Sequence, residues 1–161
     1  MKNFKKLSVI PNWDEVEKIR NKTANFLKSH RLSKDTVYSV TMIISELSEN
    51  AIKYGTFKHP KDRVGVLIQI TDGDIMAEVV NPVDMTEYRH LKRLDKTIQW
   101  IRGYQDPFEA YLERLKEVSR KPFNDEESGL GLVRIAYEGR AILDFYVGED
   151  DFLNVSAISN K

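Results

Sequence analysis

The sequence predicts a two-layer α/β sandwich, with helices on one face of a mainly antiparallel sheet, built as a single domain over residues 1–161. Three observations predict it. Short β-branched runs come in pairs closed by tight-turn residues, and long stretches of helical periodicity alternate with those pairs. The chain is also of the length at which one domain buries a core without disulfide or metal.

The elements follow in order. Residues 4–10 alternate loosely and end at Pro11, as an edge strand does. Asn12 or Asp14 caps a helix to about His30, with Val16, Ile19, Ala24 and Leu27 at roughly helical spacing. Ser33 caps a second helix whose apolar stripe is Val37, Val40, Ile43, Ile44, Leu47 and Ala51. Gly55 is its stop signal, and Lys53 complements the dipole of its last turn. Two strands, 63–71 and 75–81, flank the hairpin signal Asp72-Gly73-Asp74. Residues 82–127 are charged and carry two helical patterns, about 87–102 and 107–118, so an ordered helical insertion or lid is expected there. A helix opening at Ser128-Gly129-Leu130-Gly131-Leu132 runs to about Glu138. Two strands, 141–147 and 152–158, close the chain.

Composition removes several function classes. There is no cysteine, which excludes disulfides, thiolate zinc and cysteine nucleophiles and suits a cytoplasmic location. The 25 basic and 25 acidic side chains balance, which argues against nucleic acid as partner. No run of 18 apolar residues is present and no apolar segment follows the basic start, so neither a membrane span nor a secretory signal is expected. His30, His59 and His90 are scattered in polar stretches, which makes a transition-metal site improbable. No P-loop or nucleophile-elbow motif occurs.

Two constellations remain. Glu46 and Asn50 stand four apart and project from one face of the second helix, with Lys53 one turn further on. A carboxylate, an amide oxygen and an ammonium in line suit a Mg²⁺–phosphate site, with the carboxylate able to accept a proton. The same spacing also describes the solvated side of any amphipathic helix, although Leu47, Ala51 and Ile43 place this pair at the edge of the packed face. Gly129 and Gly131 at a helix mouth let backbone approach a phosphate. By itself this second motif equally describes a tight turn with Ser128 as cap.

Together, Glu46-x-x-x-Asn50-Ala51-x-x-x-Gly55, a hairpin, and then Gly129-Leu130-Gly131-Leu132 opening a helix resemble the GHKL ATPase superfamily of gyrase and the histidine kinases. The sequence looks most like its anti-sigma-factor serine-kinase branch and the related kinases that act on STAS-domain proteins. The resemblance runs from about Pro11 to Ile158 and is poorest in the insert. It implies a histidine-kinase-like ATPase fold with a mixed sheet, and ATP and Mg²⁺ as cofactors. It assigns Glu46 as general base, Asn50 as Mg²⁺ ligand, and Lys53 near the phosphates, with Gly129, Leu130 and Gly131 cradling them. It also implies a STAS-type partner and leaves a homodimer open.

One motif departs. Where the family has Asp-x-Gly-x-Gly to read adenine, this chain has Asn81-Pro82-Val83-Asp84-Met85. Asn81 keeps an acceptor oxygen without the charge, and Pro82 and Val83 stiffen a loop that glycines keep thin. Two readings follow: a serine/threonine kinase or switch, and a non-catalytic partner-binding module on the same scaffold. Trp100, Tyr104, Phe108 and Tyr111 in the insert read first as the core of its own helices and second as a binding surface.

Overall fold

A computed structural model describes residues 1–120 and 129–161; the expectation placed on Ser128 and the end of the expected insertion, 121–127, lie outside the described residues. The element order is β1 (Phe4–Val9), α1 (Asp14–Ser29), α2 (Lys34–Tyr54), β2 (Val64–Ile70), β3 (Asp74–Pro82), α3 (Arg89–Arg102), α4 (Pro107–Ser119), α5 (Leu130–Tyr137), β4 (Ala141–Val147) and β5 (Phe152–Asn160).

The strands form one five-stranded sheet in the order β1-β2-β3-β5-β4. Every pairing among the described residues is antiparallel, so the sheet is antiparallel throughout where the resemblance implied a mixed one. Alternation sorts each strand into two faces. Val64, Val66, Ile68, Ile75, Ala77, Val79, Leu153 and Ala157 are buried, and they meet Ile19, Leu27, Ile43, Ile44 and Leu47 of α1 and α2 in a single core. Full burial of such a side chain stabilises by roughly 1.5–3 kcal/mol, which makes this layer the main source of cohesion.

The helix ends have local causes. Asn12 Oδ1 accepts from the Asp14 N–H at 3.0 Å, one position before the expected cap geometry, since Trp13 occupies the cap position without a side-chain bond. Ser33 caps α2 by accepting from the Thr36 N–H at 3.1 Å. Gly55 ends α2 in an extended conformation, not a left-handed one. It is needed for space: a Cβ there would lie 2.6 Å from the Ala51 carbonyl oxygen and from the Phe57 ring. The insert begins one residue later than expected, because Pro82 still belongs to β3. Asp84 then orders its first turn by accepting from Thr86 and pairing with Lys58 at 2.8 Å, which holds its carboxyl well below the usual range. The insert's aromatic residues dock it inward, with Phe108 and Tyr111 both against Tyr137 of α5 and Trp100 edge-on to Tyr104. Among the described residues no helix is long and apolar enough to cross a membrane.

Candidate functional site

The last two turns of α2 form one side of a cavity of about 260 Å³. Because 3.6 residues complete a turn, Glu46, Asn50 and Lys53 share the flank of α2 beside its buried stripe, and all three line this cavity. The floor is sheet: Val79, Asn81, Leu153 and Val155, the inward positions of β3 and β5. Gly129 and Gly131 supply the α5 side, while His90, Arg93, Leu94 and Thr97 of α3 close the far wall. The floor is mainly apolar and the walls bring several polar and charged groups together, as a site for a charged small molecule requires.

Glu46 is the focus of its electrostatics. Burial and the neighbouring Glu49 push its carboxyl pKa up, and Arg134 of α5 opposes them. The Arg134 guanidinium donates to Glu46 Oε1 at 3.2 Å and, through Nε, to Glu138 at 2.7 Å. Gly131 makes room for this carboxylate: a Cβ at that position would sit 2.5 Å from Glu46 Oε2. A raised carboxyl held in fixed orientation beside a cavity is better suited to accepting a proton than an ordinary one.

Gly129 is the cap residue of α5 and adopts φ 69°, a left-handed conformation that an L side chain takes only with strain. Arg114 of α4 lies against it, its guanidinium carbon 3.6 Å from where a Cβ would be, and stacks on Trp100 at 4.6 Å. Gly129 and Gly131 line the cavity, while Leu130 between them, the first residue of α5, packs its side chain against the hydrophobic core. Asn81 is almost fully buried, and its Nδ2 donates to the Pro82 carbonyl at 3.1 Å. With the nitrogen so committed, Oδ1 is the group this side chain has to offer a ring amino donor.

Several functional candidates escaped the sequence. His90 stacks face to face on Tyr54, ring centroids 3.7 Å apart, and Lys53 lies 5.1 Å from the same tyrosine ring. With Arg93 these side chains make a basic wall. Burial first, then the charges of Arg93 and Lys53, lower the His90 pKa from 6.5 to about 4. The fold therefore prefers neutral His90. Its contribution to stability is present above pH 6.5 and is lost as pH falls from there toward about 4. His90→Phe keeps the stack and is expected to flatten the fall in melting temperature across that window; unchanged slopes would show that another group governs it. Arg134 had one available signal: it lies a helical turn beyond Gly131, on the same face of α5.

The whole chain superimposes on one chain of the crystal structure of the SiaB–SiaC complex from Pseudomonas aeruginosa. The TM-score is 0.73 over 98% of this chain and 90% of that one, at 20% sequence identity. A likeness at that identity shows the fold. No family model matches the sequence, and no curated protein matches it.

Proposed function

We propose that this protein binds Mg²⁺–ATP in the cavity between α2, α3 and α5 and transfers a phosphoryl group to a serine or threonine of a small STAS-type partner. The observation that carries the reading is Glu46, a raised carboxyl fixed by Arg134 and given space by Gly131 one turn from Asn50. The donor set fits the cofactor. Asn50 offers a hard amide oxygen of the kind Mg²⁺ takes alongside phosphate, Lys53 and Arg93 balance negative charge, and the Val79–Leu153–Val155 floor suits a flat base with Asn81 at its edge. Mg²⁺–ATP, when bound, supplies the phosphoryl group and screens its charge.

This chain's residues do the rest. Glu46 would take the proton of the acceptor hydroxyl as the hydroxyl oxygen bonds to the γ-phosphorus and the bond from that phosphorus to ADP breaks, and the N–H groups at the mouth of α5 would face the developing negative charge. Gly129 and Gly131 leave the backbone there bare for a close approach, and a Cβ at Gly131 would already collide with Glu46 Oε2 at 2.5 Å. A protein partner is supported by the SiaB–SiaC structure, in which the similar fold is part of a protein complex.

The second reading, a partner-binding module without turnover, is favoured by Asn81-Pro82, where the stiff strand end replaces two glycines. Calorimetric titration with ATP and ADP, with and without Mg²⁺, separates the two. The kinase reading expects Mg²⁺-dependent binding that weakens at least tenfold in Asn50→Ala. Absence of binding at millimolar nucleotide overturns it in favour of the module.

A further inference from the structure

Three helices meet at one side chain, Arg114 of α4. Its guanidinium stacks on the Trp100 ring of α3, 4.6 Å from the centroid, and pairs through Nη1 with Glu117 at 3.2 Å. The same flat group covers Gly129 at the mouth of α5, where Cζ, Nε and Nη1 lie 3.6, 3.7 and 3.9 Å from the place a Cβ would take. Only 14% of the side chain is exposed, and Nε is buried with no hydrogen-bond partner among the described residues. A buried donor left open costs free energy, so a protein keeps one where something else is to fill it. Packing alone does not call for an arginine here. Phe108 and Tyr111 already join α4 to Tyr137 of α5, and an apolar chain would cover Trp100 as well without an open donor.

We infer that Arg114 is a positioning residue for the terminal phosphate of the bound nucleotide, exchanging Glu117 for it with ATP and not with ADP. The inference rests on the reading of the cavity as a Mg²⁺–ATP site. Two contacts fix which phosphate is meant. Gly129 lines the cavity, so Arg114 stands one residue's thickness behind its wall. Gly131, two residues on, lies against the Glu46 carboxylate that takes the acceptor proton. The phosphorus under attack therefore belongs at this short stretch of α5, and Arg114 approaches it from the α4 side. A planar guanidinium grips phosphate oxygens through two donors at once, which a lysine cannot do.

The exchange would carry the state of the nucleotide into the insert. Glu117 is 45% exposed and holds Arg114 by an ion pair weakened by water, so a phosphate is a stronger partner. As Arg114 leaves Glu117 it shifts over Trp100 and draws α4 onto α5. The outer face of the insert then differs between the ATP and ADP states, as a switch requires.

The test is calorimetric titration of the full chain with Mg²⁺–ATP and Mg²⁺–ADP. Wild type is expected to bind ATP at least about fivefold more tightly than ADP. Arg114→Met, which keeps an apolar chain over Trp100, is expected to weaken ATP at least about tenfold and ADP no more than about threefold. Glu117→Gln removes the competing carboxylate and is expected to widen the preference for ATP. A spectroscopic reading accompanies these. With Trp13→Phe, Trp100 is the remaining tryptophan, and its emission should change with ATP, not with ADP, and with neither once Arg114→Met is added. An equal loss of both nucleotides in Arg114→Met, or a lower melting temperature with the preference intact, overturns the inference and leaves Arg114 a packing residue. Should Arg114→Met not fold, an unchanged preference in Glu117→Gln overturns it. A wild type that binds neither nucleotide removes the Mg²⁺–ATP reading and this inference together. One that binds both, with a preference indifferent to the two substitutions, removes this inference alone.

Discussion

Glu46→Gln is expected to lower phosphoryl transfer by at least about 100-fold, or roughly 2.7 kcal/mol of barrier, while nucleotide affinity changes by no more than about threefold. The amide keeps the shape beside Gly131 and can still meet the Arg134 guanidinium through its oxygen, so the loss isolates proton acceptance. Single-turnover transfer from labelled ATP, to a partner protein or to water, reads it directly. An unimpaired rate would remove Glu46 from the role of base, and with it the observation on which the kinase reading rests. Arg134→Ala gives a different signature. It releases a restraint that lowers the Glu46 pKa, so the pH–rate profile should move upward.

Gly139→Ala is expected to be the most damaging small substitution outside the cavity. The added Cβ would lie 2.5 Å from the Ile135 carbonyl oxygen and 2.9 Å from the Ile43 side chain. The first is backbone and the second is fully buried in α2, so neither can yield without parting α5 from α2. Overpacking of this kind costs about 1–3 kcal/mol, several degrees of melting temperature in a domain of this size. The same displacement carries Gly131 and Arg134 away from Glu46, so activity should fall with stability. Gly73→Ala, in a turn with nothing near the added methyl, is the control and should melt as wild type does.

These two predictions show what was legible in the sequence. Ser33, the 3.6-residue stripe of α2 and the Asp72-Gly73-Asp74 hairpin are local signals, and each element they foretell is present within a residue or two. Glu46, Asn50 and Lys53 could be grouped because one helix carries all three. Strand order could not be read, since pairing of β3 with β5 brings together residues 74–82 and 152–160 across a long intervening sequence. Arg134 and Arg114 went unnoticed, and His90 was weighed only as a metal ligand, for the same reason: their roles arise from contacts between different elements. Leu130 packs its side chain against the core, so only its backbone bears on the part that the glycine motif assigns to it.

The wall contributed by α3 has a consequence for timing. Leu94, Ile98 and Ile101 root this helix in the core, while His90 grips Tyr54 at the end of α2. A ligand held against such a wall would lose those contacts when a whole packed helix swings or frays, and not when a few loop residues shift. Its dwell time is then set by the cost of that opening and can be long even for modest affinity. A switch built this way would act as a clock, holding one state for an interval that the packing of α3 determines.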